Sequence, residues 1–155
     1  MIPDSPEYWL VFNRVVRFGE TDGAGVIHFY NLFRWCHEAW EESLEKYGIY
    51  ASEIFPNTVQ SENYLEVALP VINCKANFRA PITTGDQLKV LLSPEKIDMW
   101  SFEIQTKFQK GGEDVAWGLI RHLAINVRTR KRCSLPENIT RWLEASSLNH
   151  GPRPL

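Results

Sequence analysis

Apolar residues recur at steps of three and four between residues 29 and 47, which is the pattern of a helix with one face packed on a core. The positions are Phe29, Leu32, Phe33, Trp35, Cys36, Ala39, Trp40, Leu44 and Tyr47. Upstream, residues 8–18 are rich in aromatic and β-branched side chains, which favour an extended strand. The chain therefore begins with a predicted strand, a turn and a long helix.

The second half of the chain predicts four strands and a short helix. The strands span residues 68–78, 87–92, 101–109 and 115–127, and Pro70 marks an edge position or bulge in the first of them. The turn residues 84–86 predict that the first two pair as a hairpin, and residues 110–113 predict a second turn. Pro136 is suited to the first turn of a terminal helix.

This order of elements separates the strands from the long helix, which predicts an α+β fold with an antiparallel sheet wrapped on one helix. A doubly wound nucleotide-binding fold is disfavoured, because only one helix lies between strands and the chain has no glycine-rich phosphate loop. We expect one domain over residues 1–148 and a flexible tail over residues 149–155, which contain Gly151, Pro152 and Pro154.

Composition narrows the class of protein. The 155 residues are 44% hydrophobic, enough for a core, and the net charge of −2 argues against a surface built to attract nucleic acid. The three cysteines, Cys36, Cys74 and Cys133, lack metal-ligand spacing and are expected to be reduced thiols. With no apolar run of membrane-spanning length and no leader pattern, we expect a cytoplasmic protein without a membrane partner.

The turn before the long helix carries the first catalytic candidate, Asp22. Gly23 and Gly25 permit tight backbone geometry there and let a ligand approach main-chain N–H groups. A helix start supplies unpaired N–H donors and a positive dipole end, which can stabilise a carbonyl oxygen that gains charge. A carboxylate beside such donors is suited to acyl transfer. From the turn alone, the alternative is that Asp22 is a simple helix cap.

Four segments together resemble the 4-hydroxybenzoyl-CoA thioesterase branch of the hotdog-fold enzymes. They are TDGAGVI at residues 21–27, WCHEA at 35–39, FRAP at 78–81 and GDQL at 85–88, and the similarity runs from Phe12 to Trp142. Within that branch the chain is most similar to the 1,4-dihydroxy-2-naphthoyl-CoA hydrolases of cyanobacterial type, through residues 36–39, ALP at 68–70 and SLP at 134–136.

The resemblance implies a hotdog fold and a homodimer or homotetramer with active sites at subunit contacts. It identifies Asp22 as the catalytic carboxylate, acting on the thioester carbonyl as a nucleophile or as a base for water. It implies hydrolysis of 1,4-dihydroxy-2-naphthoyl-CoA in phylloquinone biosynthesis. Thioester hydrolysis of this kind needs neither a metal nor another cofactor.

Four further residues near Asp22 are candidates for binding the acyl group. Gly25 opens the backbone to a ligand, and His28 can hydrogen-bond a phenolic hydroxyl or simply be a polar residue at a helix start. Phe29 stands where related enzymes often have Tyr or His, and it can form an aromatic wall with Tyr30. For each aromatic residue, an ordinary place in the core is the alternative.

The phosphates of CoA require basic groups, and the densest basic run lies late in the chain. Its candidates are Arg128, Arg130, Lys131 and Arg132. Several related enzymes use an arginine-rich turn between middle strands for this purpose. In the corresponding residues 95–100 of this chain, Lys96 is the only basic residue. The alternative is a solvated strand end. Arg79 is a weaker candidate, because it can instead fix the turn before Pro81.

Three other functions remain open at this point. The same fold can hydrolyse another aryl or medium-chain acyl thioester, or bind acyl-CoA without catalysis, in which case Asp22 is only a turn residue. Nucleic-acid binding through residues 128–132 is disfavoured, because that short basic run has no recognised binding module around it.

Overall fold

A computed structural model describes residues 5–56 and 65–147. The five main strands form one antiparallel sheet in the order β1-β4-β5-β6-β3, and two short strands, β2 and β7, pair separately. The strands are β1 (Val11–Val15), β2 (Val67–Ala68), β3 (Val71–Phe78), β4 (Gln87–Lys96), β5 (Ser101–Lys110), β6 (Glu113–Leu123) and β7 (Ile125–Asn126). The helices are α1 (Glu7–Leu10), α2 (Phe29–Tyr47), α3 (Ala51–Ile54) and α4 (Glu137–Ser147). The predicted α+β class is confirmed, and the predicted tail at residues 149–155 lies outside the described residues.

The predicted strand over residues 8–18 is confirmed only for β1, because residues 16–17 lie outside it and Phe18 begins a short 3-10 turn. Its first three residues are wrong as well. Residues 7–10 form a helical turn after Pro6, in which the N–H groups of Trp9 and Leu10 donate to the Pro6 carbonyl at 3.1 and 3.0 Å. Both side chains are buried, so a helical turn places two adjacent apolar residues in the core. Aromatic content alone does not distinguish such a turn from a strand.

The predicted hairpin between residues 68–78 and 87–92 is also wrong. β3 pairs with β6, whereas β4 lies between β1 and β5. The turn at residues 84–86 contacts β1 instead of reversing the chain onto β3, because Gly85 donates to the Val16 carbonyl at 2.8 Å and Val16 donates to the Asp86 carbonyl at 2.9 Å. These two bonds direct β4 to the opposite part of the sheet.

Helix α2 has the predicted bounds and buries its apolar face against the inner face of the sheet. Leu32, Trp35 and Trp40 are each at most 1% exposed. The helix ends at Gly48, whose φ of 115° is a left-handed conformation that glycine adopts without strain. Among the described residues, no helix is both long and apolar enough to cross a membrane.

The helix and the sheet are in close contact where Cys36 meets Gly118 of β6. A Cβ atom at Gly118 would lie 2.6 Å from the Cys36 sulfur. Burial raises the pKa of the Cys36 thiol to about 12, so this side chain is a small apolar group and not a nucleophile. Gly118 is therefore required for close packing and not for a turn.

We expect Gly118→Ala to lower the free energy of unfolding by about 1–3 kcal/mol, because the added methyl group overpacks the core. In a Cys36→Ala background the same substitution has room and should cost far less. Urea unfolding of the two single variants and the double variant measures this coupling. Equal costs of Gly118→Ala in both backgrounds would contradict the contact.

His122 of β6 is buried, four residues after Gly118 on the same strand. His122 stacks on Phe102 with ring centroids 5.0 Å apart and lies 4.3 Å from the Trp40 ring. Its Nδ1 is 3.0 Å from the Leu69 carbonyl oxygen, so Nδ1 carries the proton and donates. Burial lowers the pKa of His122 to about 4, with a smaller effect from nearby His37, and the ring is neutral in the folded protein.

Because the pKa of His122 is lower in the folded than in the unfolded chain, the unfolded chain binds the extra proton first as the pH falls below 6.5. Stability is therefore lost as the pH falls, and this one group accounts for about 2 kcal/mol between pH 7 and pH 5. His122→Gln keeps a donor for Leu69 and should remove that part of the dependence. Urea unfolding at several pH values tests this, and an unchanged slope in the variant would contradict it.

Candidate functional site

A tight hairpin of residues 21–27 presents Asp22. Thr21 bridges to Ile27 across it, and the Asp22 N–H donates to the Val26 carbonyl at 2.8 Å. The Gly25 N–H donates to the Asp22 carbonyl at 3.0 Å, and its φ of 81° explains the glycine at this position. The Asp22 carboxylate is exposed and accepts one bond, from the Ala24 N–H at 2.8 Å. Its remaining acceptor positions are open to a ligand.

The hairpin leads directly into the first turn of α2. The Ile27 N–H donates to the Ile82 carbonyl at 2.9 Å, and Phe29 begins the helix after His28 as its N-cap. The first N–H groups of an α-helix have no acceptor within the helix, and the dipole makes this end positive. The carboxylate and a set of main-chain donors therefore lie at the same end of the molecule.

One groove of about 500 Å³ joins the hairpin to a second wall. Its lining consists of Asp22, Val26, Ile27, His28 and Phe29 on one side and Phe78, Arg79, Ala80, Pro81 and Ile82 on the other. The groove is mainly apolar around a single carboxylate. Phe29 is 64% exposed and Phe78 is 45% exposed, so both aromatic faces are accessible.

The structure brings three of the five predicted acyl-site residues, Asp22, His28 and Phe29, into this groove. Gly25 and Tyr30 lie beside it but are not part of its lining. The His28 ring lies 4.9 Å from the Phe29 ring and 4.6 Å from the Tyr30 ring, measured between centroids. Its Nδ1 is buried and has no hydrogen-bond partner among the described residues.

The sequence analysis named only Arg79 of the second wall, as a weaker candidate for the CoA phosphates, and the structure places Arg79 in the groove lining beside four residues that were missed. Phe78 is the last residue of β3 and residues 79–82 follow it, and the Arg79 and Ala80 N–H groups both donate to the Val115 carbonyl, at 2.8 and 3.2 Å. The Ile27–Ile82 bond then ties this segment to the hairpin. The FRAP segment was a usable signal, since it combines an aromatic ring, a cation and a proline directly after a strand.

Glu20, two residues before Asp22, is a buried carboxylate that the sequence did not single out. It is 6% exposed. Its Oε2 accepts from Arg14 at 2.7 Å, from the Trp35 indole at 2.6 Å and from Arg34, and its Oε1 accepts from the Arg17 N–H at 2.8 Å. Burial alone would raise the pKa of Glu20, but these bonds and the Arg14 charge outweigh it and hold the pKa below its usual value.

The Glu20 main chain also binds the start of α2. Its carbonyl oxygen accepts from the His28 N–H at 2.9 Å and from the Asn31 side-chain amide at 2.8 Å. Asn31 is only 1% exposed, so this is a buried bond. Glu20 therefore joins β1, the hairpin and the first two turns of α2.

The predicted basic group lies elsewhere in the chain. It forms a turn after β7, in which Asn126 Oδ1 accepts from the Arg128 and Thr129 N–H groups at 2.9 and 3.0 Å. The Arg132 guanidinium lies 4.9 Å from the centroid of the Trp100 ring. Residues Arg128, Arg130, Lys131 and Arg132 are all outside the groove lining.

Strand β6 separates the basic turn from the groove. Ala116 pairs with Phe78 at the groove end, and Leu123 lies at the other end, just before β7. The seven residue steps between them span roughly 23 Å at the usual rise of a strand. The structure thus does not bring the predicted phosphate-binding residues close to Asp22 within the chain.

The sheet wraps one long helix, and the hairpin that carries Asp22 comes directly before that helix. This arrangement is that of a hotdog-fold protein. The sequence model of the Thioesterase-like superfamily matches residues 16–143. This match covers most of the chain, so the chain belongs to the thioesterase-like superfamily.

Individual relatives agree with this family. A 1,4-dihydroxy-2-naphthoyl-CoA hydrolase of Prochlorococcus marinus strain MIT 9303 is 58% identical over 144 residues, which cover 93% of this chain and 95% of that protein. A crystal structure from Prochlorococcus marinus strain MIT 9313 has 58% identity and a TM-score of 0.88, covering 92% of this chain and 99% of the other. A 1,4-dihydroxy-2-naphthoyl-CoA thioesterase from Synechocystis has 26% identity and a TM-score of 0.78, covering 91% and 98%.

Proposed function

We propose that this protein hydrolyses 1,4-dihydroxy-2-naphthoyl-CoA to 1,4-dihydroxy-2-naphthoate and CoA, with Asp22 as the catalytic carboxylate. The observation that carries the proposal is the groove in which an exposed Asp22 lies beside the first turn of α2. The substrate is that named for the relative with 58% identity. This is the reaction expected of an enzyme of phylloquinone biosynthesis.

The geometry supports a carboxylate-dependent attack on the thioester carbonyl. A substrate carbonyl oxygen directed at the first turn of α2 meets main-chain N–H donors, which stabilise the negative charge that develops there. Asp22 then attacks the carbonyl carbon to form an anhydride that water cleaves, or it takes a proton from an attacking water. In both routes the carbon–sulfur bond breaks and the sulfur of CoA leaves and takes up a proton.

The walls of the groove favour a flat aromatic acyl group. Phe29 and Phe78 are both exposed aromatic residues of the lining, and Pro81 adds exposed apolar surface to it. Aromatic rings stack on such side chains with a gain beyond the area they bury. His28 also lines the groove, and its Nδ1, which has no partner among the described residues, is a polar group that could bind a hydroxyl of the ring.

Asp22→Asn should lower kcat for 1,4-dihydroxy-2-naphthoyl-CoA by at least about a thousandfold, because the amide is neither a nucleophile nor a base. The measurement is thiol release from this substrate beside benzoyl-CoA, 4-hydroxybenzoyl-CoA and medium-chain acyl-CoAs. Asp114→Asn, on an exposed pair with Lys107, is a matched control that should retain activity.

Each other outcome of that comparison selects a different function. Asp22-dependent release from only another thioester would overturn the proposed substrate and retain the reaction. Binding of acyl-CoA without turnover in a folded wild-type sample would favour a noncatalytic hotdog module. Equal activity of wild type and Asp22→Asn would overturn the role of Asp22.

We further propose that the protein acts as a homodimer through β3. β3 is an edge strand, and all of its residues except Ala76 are exposed. Val71, Ile72 and Phe78 leave apolar surface there, and an open strand edge with such residues is suited to pairing with a second copy. A twofold axis across β3 gives antiparallel pairing, and its Phe78 end carries one wall of the groove.

This pairing would also explain the distance between Asp22 and the basic turn. In an antiparallel β3 pair, the Phe78 end of one strand lies beside the Val71 end of its partner. Pro70 accepts from the Leu123 N–H at 3.1 Å, so the Val71 end is next to the end of β6 that leads to the basic turn. We propose that the Arg128, Arg130, Lys131 and Arg132 turn of one subunit binds the CoA phosphates of the substrate held by the other.

Arg128→Gln with Lys131→Gln should raise KM for acyl-CoA by roughly tenfold, because charge-assisted bonds to phosphate are lost. The matching N-acetylcysteamine thioester carries no phosphate, so its KM should not change. Arg141→Gln on α4, where Arg141 pairs with Glu137, is a control cation away from the basic turn.

Mixed dimers distinguish the two arrangements. Subunits carrying Asp22→Asn are combined with subunits carrying the Arg128→Gln and Lys131→Gln pair. If the turn acts across the dimer, the mixed dimer contains one site with intact Asp22 and an intact turn, and wild-type KM returns. A KM that stays high in the mixed dimer would contradict the arrangement across subunits.

A further inference from the structure

Glu20 is the buried charged group nearest in sequence to Asp22, and the proposed mechanism assigns it no role. Its carboxylate accepts four hydrogen bonds from β1, the short turn before the hairpin, and α2. A buried carboxylate with four donors is saturated and cannot also bind a substrate atom. Its function must therefore act through other residues.

The bonds of Glu20 converge on the two parts that must be aligned for catalysis. The side chain binds Arg34 and Trp35 of α2, and the main-chain carbonyl binds the N–H of His28, the N-cap of that helix. Glu20 thus fixes the position of the Asp22 carboxylate relative to the N–H donors of α2.

Ion pairs around Glu20 restrict the movement of the hairpin relative to α2. Arg14 binds Glu20 and Glu38, and its guanidinium lies 4.6 Å from the centroid of the Trp35 ring. Arg34 also binds both carboxylates. Two arginines and two glutamates therefore form a closed network around the base of the hairpin, in which Glu20 is the buried member.

We infer that Glu20 is a positioning residue for thioester hydrolysis, which holds the Asp22 hairpin against the first turn of α2. This inference rests on the proposed function. A shift of about 1 Å between a reacting group and its donors can lower the rate a hundredfold, so rigid alignment has a direct kinetic effect.

The test is Glu20→Gln. This substitution keeps the shape of the side chain but places an NH₂ group where the carboxylate oxygen accepts hydrogen bonds. We expect kcat to fall about ten- to a hundredfold with KM within about threefold of wild type, because the groove walls remain. Hydrogen exchange of residues 20–28 should quicken, while β4, β5 and β6 exchange as in wild type. A purely structural role would instead lower global stability without this split.

A second, matched pair of variants covers the case in which Glu20→Gln does not fold. Trp35→Phe removes the buried indole donor to Glu20, and Trp142→Phe removes a buried indole donor to Ser43 further along α2, at 3.1 Å. Each variant loses one buried indole N–H bond, to a carboxylate in Trp35→Phe and to a hydroxyl in Trp142→Phe. Only Trp35→Phe should lower kcat and quicken exchange in residues 20–28.

The outcomes separate this inference from the proposed function. Wild-type kcat and exchange in Glu20→Gln, beside an Asp22-dependent wild type, would overturn the positioning role alone. Equal losses in Trp35→Phe and Trp142→Phe would overturn it as well. If the wild type hydrolyses no thioester, the proposed function fails, and a wild-type exchange rate for residues 20–28 in Glu20→Gln would then overturn the positioning role separately.

Discussion

Helix α2 buries its apolar face against a five-stranded sheet, and the position of the groove follows from that packing. The close contact of Cys36 with Gly118 sets the distance between helix and sheet. With the helix at that distance, its first turn comes level with the end of β3 and the segment that follows it. The hairpin before the helix and the wall after the strand are then joined by the Ile27–Ile82 bond.

The parts of this structure that the sequence predicts are those controlled by local periodicity. The bounds of α2 follow from an apolar repeat that ends at Gly48. The predicted interruption near Pro70 is present, but the pieces on either side, β2 and β3, lie in different sheets and not in one strand. The proline at position 94 did not end β4, because it lies beyond the stretch that pairs with β1, where an edge tolerates a missing N–H.

Strand pairing and the buried network depend on residues far apart, which no local pattern reveals. The partner of β4 was decided by bonds between Val16 and residues 85–86, about seventy positions apart. Likewise, the sequence pattern indicates only that Glu20 is a polar residue in a turn. Its burial is evident only in the structure, where Arg14 and Trp35 both donate to it. Asp22 was a candidate because its turn is a local pattern of residues 20–29, and the resemblance carried by four separate segments then implied its catalytic role.

Two carboxylates two residues apart thus have opposite environments, and the contrast supports their different roles. Glu20 is buried and saturated with donors, which keeps it ionised and fixed. Asp22 is exposed and accepts one bond, which leaves its acceptor positions free for a reacting atom. Pairing through β3 would cover the open side of the groove with the partner subunit. Exclusion of water from Asp22 would then strengthen its interaction with the carbonyl carbon, so assembly and catalysis would depend on the same edge strand.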